Sequence, residues 1–147
     1  MANLNRIIKF RAWSKKKKKM FRVDMLNLKL KTAVSLDTKT YPPDWSWKWK
    51  DLELMQFTGL LDRHGKEIYE GDILEEVEKC PYCKQSKKGN IKQVYWCEAG
   101  KKKDGVFGGF FGVLDKNGNS YTISNLADDF KVIGNIYENK SLLEDSK

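Results

Sequence analysis

Apolar residues in this chain recur at every second position over short runs, and tight turn residues cut each run off before a helical period can establish itself. Leu26, Leu28 and Leu30 alternate with Asn27, Lys29 and Lys31, and Trp45, Trp47 and Trp49 alternate with Ser46, Lys48 and Lys50. Between runs stand Asp62-Arg63-His64-Gly65-Lys66, Glu70-Gly71-Asp72 and Asp115-Lys116-Asn117-Gly118-Asn119, the last an Asn-Gly pair suited to a type I′ hairpin turn. Such a chain must be mainly β. Short strands joined by tight glycine turns have few ways to bury their apolar faces, and a small barrel architecture with short peripheral helices is the expected one.

Read along its length, Arg6–Trp13 and Met20–Asp24 form a hairpin whose loop is Lys15–Lys19. Residues 25–40 read as a weaker strand, Pro42-Pro43-Asp44 breaks the chain, and the parity of apolar positions slips after Asp51, as at a bulge or turn. Strands follow at Ile73–Val77, Val106–Leu114, Ser120–Ile123 and Phe130–Tyr137, with one helical turn over Ser124–Asp129 and a short helix or tail over 139–147. The polar, lysine-rich stretch 79–105 holds all three cysteines and reads as an excursion from the core, with one possible strand at Ile91–Trp96. This divides the chain into a basic β subdomain at 1–60, a barrel subdomain at 61–138 with the cysteine-bearing insertion at 79–105, and a tail at 139–147.

Several of these segments are recognisable together. Ile8–Trp13 with its lysine loop and Met20, Leu54–Leu60 with Asp62, Gly65–Ile73, and Val132–Asn139 with Leu142-Leu143 resemble, in the same order, the signatures of the YopX family of phage and prophage proteins. The resemblance implies an all-β architecture whose C-terminal half, opened by Gly71-Asp72-Ile73, is an SH3-like barrel. It also implies a phage or integrated-element origin and a setting in the cytoplasm of a bacterial host, but no biochemical activity. The residues that carry it are structural in kind: Gly59, Gly65, Gly71 and Gly134 suit special backbone angles, and Phe10, Trp13, Phe57, Ile73, Ile133 and Ile136 suit cores. Members of the family pass through 79–105 with a shorter, acidic loop, so the cysteines owe nothing to the resemblance.

Composition narrows the function classes. The chain has 147 residues, enough for its own core without disulfide staples, and 40% hydrophobic residues, too many for a disordered segment. No apolar run is long enough for a membrane-spanning helix, and the N-terminus is charged where a signal peptide would be greasy. Three cysteines are an odd number, which fits a reducing cytoplasm better than a secreted disulfide framework. Charge is uneven: residues 1–50 hold 14 Lys+Arg against 3 Asp+Glu, and residues 51–147 hold 14 against 17. The basic part calls for an acidic partner, which nucleic acid, another protein or a second copy of this chain would supply, or else it is a solvated face.

Two constellations carry candidate chemistry. Cys80-Pro81-Tyr82-Cys83 spells a glutaredoxin tetrapeptide, but a poor helix former follows it, and no proline lies downstream to serve as the cis-proline of that fold. It reads better as one knuckle of a structural zinc site, with Cys97 as third thiolate and His64, Glu98 or a residue of another subunit as fourth ligand. Three ordinary thiols of a degenerate ribbon are the plainer alternative. The second constellation is a nucleic-acid surface of Lys15, Lys16, Lys17, Lys18, Lys19, Lys48, Lys50 and Lys101–Lys103, with bases stacking on Trp45, Trp47 and Trp49. The alternative is that the three indoles fill a core or a subunit interface.

No catalytic set emerges. There is no Gly-x-Ser-x-Gly and no Walker loop, His64 is the single histidine, and Asp72, Glu75 and Glu76 read as decoration of a solvent face. The expected protein is therefore a non-enzymatic interaction or assembly module, its basic half meeting the acidic half of another copy in a homo-oligomer. A nucleic-acid-binding accessory protein is the alternative. No membrane partner and no small-molecule substrate are expected.

Overall fold

The computed structural model describes residues 7–35, 47–79, 86–97, 101–102, 105–106, 110–115, 117–123 and 129–144. The chain divides after Gly59 into two compact units, Met1–Gly59 and Leu60–Lys147. Among the described residues the fold is mainly β, with one short α-helix.

The N-terminal unit is built from six short strands: β1 (Phe10–Ser14), β2 (Lys19–Val23), β3 (Met25–Asn27), β4 (Thr32–Val34), β5 (Trp47–Lys48) and β6 (Leu52–Leu61), with a 3₁₀ turn over Trp49–Asp51 between the last two. Strand β1 lies between β2 and β6, antiparallel to both, as the hairpin reading of the lysine loop requires. Strand β4 lies between β3 and β5 in a second small sheet. Register explains how the sheets pack. Phe21, Ala12 and Leu54 stand side by side across the first sheet, and Leu26, Ala33 and Trp47 across the second. These rows belong to one core, in which both alanines are fully buried. A methyl at the centre of each row leaves room for the larger residues at its flanks, and Phe21 stacks on Trp47 with ring centroids 5.3 Å apart.

Two expectations fail here for local reasons. Leu26, Leu28 and Leu30 do not share one strand, because the chain turns back at residues 28–31. Asn27 Oδ1 accepts the Leu30 N–H at 2.8 Å, and Lys31 takes a left-handed backbone with φ 52°. The tryptophan run likewise makes only two residues of strand before the 3₁₀ turn takes over at Trp49, so the parity slip past Asp51 comes from that turn.

In the C-terminal unit, β6 ends in the Asp62–Lys66 turn and the chain returns as β7 (Glu67–Tyr69). Then come β8 (Asp72–Lys79), β9 (Ser86–Cys97), β10 (Lys101–Lys102), β11 (Gly105–Val106), β12 (Phe110–Asp115), β13 (Ser120–Thr122), β14 (Phe130–Asn135) and α1 (Ser141–Glu144). Five of them form one antiparallel sheet in the order β13-β12-β9-β8-β14, curled into a half-barrel. Its core is Ile68, Leu74, Val94, Phe111, Val113, Ile123, Phe130 and Val132.

The stretch read as an excursion therefore supplies the middle strand of the sheet. The strand expected at Ile91–Trp96 lies within it, and its lysines hid only its central place: Lys92 is 7% exposed, because its ammonium lies 3.2 Å from Glu76 Oε2 and 5.1 Å from the centroid of the Phe130 ring. Asp72, read as surface decoration, is 1% exposed, and its Oδ2 accepts the Tyr69 N–H at 2.8 Å across the Glu70-Gly71 turn. The Asn-Gly hairpin exists, but among its described residues only Gly118 has positive φ, so it is not the type I′ turn, which needs positive φ at Asn117 too. Asp115 Oδ1 accepts the N–H groups of Asn117 and Asn119 and holds the turn instead. Most of the helical turn expected at Ser124–Asp129 lies outside the described residues.

Candidate functional site

The lysine loop is a built turn. Ser14 caps it, its Oγ accepting the Lys17 N–H at 3.1 Å and its carbonyl the Lys18 N–H at 2.8 Å, and the Lys15 N–H donates to the Asp51 carbonyl at 3.0 Å. Much of its charge is already answered. Lys15 Nζ lies 2.7 Å from Glu53 Oε1, Lys16 Nζ lies 3.3 Å from Asp51 Oδ2, and Lys17 Nζ stands 4.8 Å over the Trp47 ring. Lys18 and Lys19 are exposed.

Trp47 and Trp49 do not share one strand. Trp45 lies outside the described residues. Trp47 is half-buried in the N-terminal core against Phe21, and Trp49 is half-buried in the 3₁₀ turn with its indole N–H enclosed and without a hydrogen-bond partner.

What the N-terminal unit does expose is a different cluster. In the β3–β4 turn, Leu28 is 72% and Leu30 68% exposed, and Met25 just before them 59%. Register brings lysines around this tip. Thr32 pairs with Lys48, and the Trp49 N–H donates to the Lys31 carbonyl at 3.0 Å, so the tip and the 3₁₀ turn with Lys50 are adjacent. Lys29, Lys31, Lys48 and Lys50 are all exposed, and their ammonium groups meet no partner among the described residues. The carboxylates of the unit's described residues are spent elsewhere: Asp24 holds Arg22, Asp51 holds Lys16 and Glu53 holds Lys15. Reasoning from sequence found Lys48 and Lys50 but missed Leu28, Lys29, Leu30 and Lys31. The available signal was Asn27 three residues ahead of Leu30, the spacing of a side chain that folds the backbone back on itself.

Of the metal candidates, the described residues include Cys97 and His64. Cys80, Cys83 and Glu98 lie outside the described residues. Cys97 is the last residue of β9, its backbone paired with Phe110. His64 is exposed in the β6–β7 turn, its N–H donating to Asp62 Oδ1 at 2.8 Å. Among the described residues no three His, Cys, Asp or Glu side chains group as metal ligands. Lys101 and Lys102 lie in the small β10–β11 hairpin and Lys103 outside the described residues.

The residues of the recognisable signatures do structural work. Asp62 is 5% exposed, its Oδ1 accepting the N–H groups of His64 and Lys66 and its Oδ2 the Val132 N–H of β14 at 2.9 Å. Burial acts to raise its pKa, but the N–H groups of Val132, Lys66 and His64, with the His64 charge, prevail and hold it below 3.8. A Cβ on Gly134 would fall 2.5 Å from Asn139 Oδ1, an oxygen that accepts the Asn135 N–H, so no side chain fits there. Asn135 Oδ1 in turn accepts the N–H groups of Tyr137 and Glu138. Among the described residues no helix is long and apolar enough to cross a membrane.

Comparison with known proteins agrees with these signatures. No curated protein matches the chain. Among solved structures it is similar to protein EF1440 from Enterococcus faecalis, at 29% identity and a TM-score of 0.59, over 93% of this chain and 98% of that one. The family model described as YopX protein matches residues 9–144. Since that match spans nearly the whole length, the chain belongs to the YopX family.

Proposed function

We propose that this chain is a phage-derived, non-enzymatic interaction or assembly module working in the cytoplasm of a bacterial host, with the β3–β4 tip as its working surface. The observation that carries this reading is the exposure of Leu28 and Leu30, 72% and 68%, on a turn held by its own hydrogen bonds. Apolar side chains held out in water on a fixed turn are what a binding surface requires. A second copy of the chain is the partner proposed first. Residues 1–59 carry 14 basic against 5 acidic residues, whereas Glu67–Glu78 carries six carboxylates and no basic residue. The C-terminal unit serves as scaffold. Its strand order, a four-strand meander whose fifth strand returns beside the first, supports reading it as an SH3-like barrel.

Light scattering tests the proposal. The wild-type mass is expected at a multiple of 17.1 kDa, falling to 17.1 kDa in the Leu28→Ser/Leu30→Ser variant. A wild-type chain that stays monomeric at every concentration overturns self-assembly.

A further inference from the structure

We infer that the β3–β4 tip and the 3₁₀ turn beside it form a binding site for duplex nucleic acid, with Lys29, Lys31, Lys48 and Lys50 holding phosphates and Leu28 and Leu30 entering a groove. The inference rests on reading this tip as the working surface, but not on self-association.

The choice of partner follows from which charges are free. The described carboxylates of the N-terminal unit are engaged with Lys15, Lys16 and Arg22, so the lysine loop that dominates the sequence is partly neutralised where it stands. The four lysines around the tip are exposed and unanswered among the described residues, and two ties gather them: the Thr32–Lys48 pairing and the hydrogen bond from Trp49 to Lys31. Lysine suits phosphate, which stays hydrated and releases counterions on binding. The shape agrees. A two-stranded ribbon enters a major groove, roughly 12 Å wide, and apolar side chains at its end can meet thymine methyl groups. No base-stacking is needed, which matches a Trp47 already packed on Phe21.

The test is fluorescence anisotropy of a labelled DNA duplex titrated with the full chain between about 50 and 200 mM salt. The wild type is expected to bind with a steep salt dependence. Lys29→Gln/Lys31→Gln/Lys48→Gln/Lys50→Gln should flatten the log–log slope by about 3.6, roughly 0.9 for each phosphate left without its lysine. Lys15→Gln/Lys16→Gln, which removes more conspicuous but already paired lysines, should leave the slope nearly unchanged. Leu28→Ser/Leu30→Ser should weaken binding about tenfold at an unchanged slope. The inference is overturned if the wild type ignores the duplex at low salt, if the fourfold variant binds as the wild type does, or if poly-glutamate or anionic vesicles capture the chain in preference to DNA. Light scattering on the same samples reports self-association separately, so failure of one reading leaves the other standing.

Discussion

The two units of this chain bury their apolar residues by different means. The N-terminal unit sets two alanine-centred rows against each other, Phe21–Ala12–Leu54 and Leu26–Ala33–Trp47, and leaves Met25, Leu28 and Leu30 in water. The C-terminal unit gathers eight buried residues from five strands and the turn after β13, and pins its turns with the buried side chains of Asp62, Asp72 and Asn135. Charge follows the same division: residues 1–59 carry 14 basic against 5 acidic residues, and residues 60–147 carry 14 against 15. A unit with a small core and unspent lysines is suited to meeting something. A unit whose polar groups are turned inward is suited to holding shape. Family signatures made of the second kind of residue mark a scaffold, and the surface that scaffold carries has to be found from exposure and charge.

The comparison is tested hardest in the C-terminal core. Phe130 is fully buried beneath the Lys92 ammonium. Truncating it opens a cavity and removes the ring under the lysine, so Phe130→Ala is expected to lower stability by about 3–5 kcal/mol in urea denaturation followed by circular dichroism. A loss below about 1 kcal/mol would mean the half-barrel is not where the chain keeps its stability.

Next in size is Asp62. Replacing it by alanine leaves three N–H groups without their acceptor, one of them on β14, and about 3 kcal/mol of destabilisation is expected at neutral pH. The sign of the pH dependence follows from its lowered pKa. The folded carboxyl holds its charge to lower pH than the unfolded one, so its contribution is complete above the ordinary value of 3.8 and is lost as pH falls through the folded value. The gap between wild type and Asp62→Ala should therefore be constant through the neutral range and narrow in acid. A gap that widens in acid would contradict the geometry.

In the N-terminal unit the weak point is space rather than polar pairing. Ala33 is fully buried between Leu26 and Trp47, so Ala33→Leu overpacks the row and should cost about 1–3 kcal/mol. Tryptophan emission reads it out directly, because Trp47 must leave its stacked position on Phe21.

How far the sequence could be read follows the same physics. The β1–β2 hairpin and the glycine turns at Gly65 and Gly71 were legible because period-two alternation and positive-φ residues are local signals. A strand at Ile91–Trp96 was legible, but the central place of β9 in the sheet was obscured because Lys92 looks like surface until Glu76 and Phe130, distant in sequence, are seen to receive it. Trp47 and Trp49 looked like one strand face because no local signal announces a 3₁₀ turn. At the candidate site, sequence counted the lysines correctly but weighted them by density. Which lysines are free depends on where Asp51 and Glu53 come to lie, and that is set by the pairing of β6 with β1.

The smallest effect is the one that separates density from availability. Lys15 and Glu53 are each about half exposed, and Lys16 is more exposed still, at 71%, against Asp51 at 21%. Ion pairs in such settings lose most of their Coulomb energy to water and hold two flexible side chains in place at an entropic cost, so each contributes about 0–1 kcal/mol. Lys15→Gln/Lys16→Gln should therefore shift the denaturation midpoint by less than any substitution above, and the shift should vanish at about 1 M salt, where screening acts over roughly 3 Å. Its consequence for charge is larger than its consequence for stability. Removing these lysines frees the Asp51 and Glu53 carboxylates on the same unit, so the unit loses two positive charges and leaves two negative ones unanswered. If duplex binding nevertheless keeps its salt slope, the phosphates are held at the β3–β4 tip, away from the lysine loop. If the slope falls as far as in the tip variant, the loop lysines hold phosphates in their own right and the division between spent and unspent charge fails.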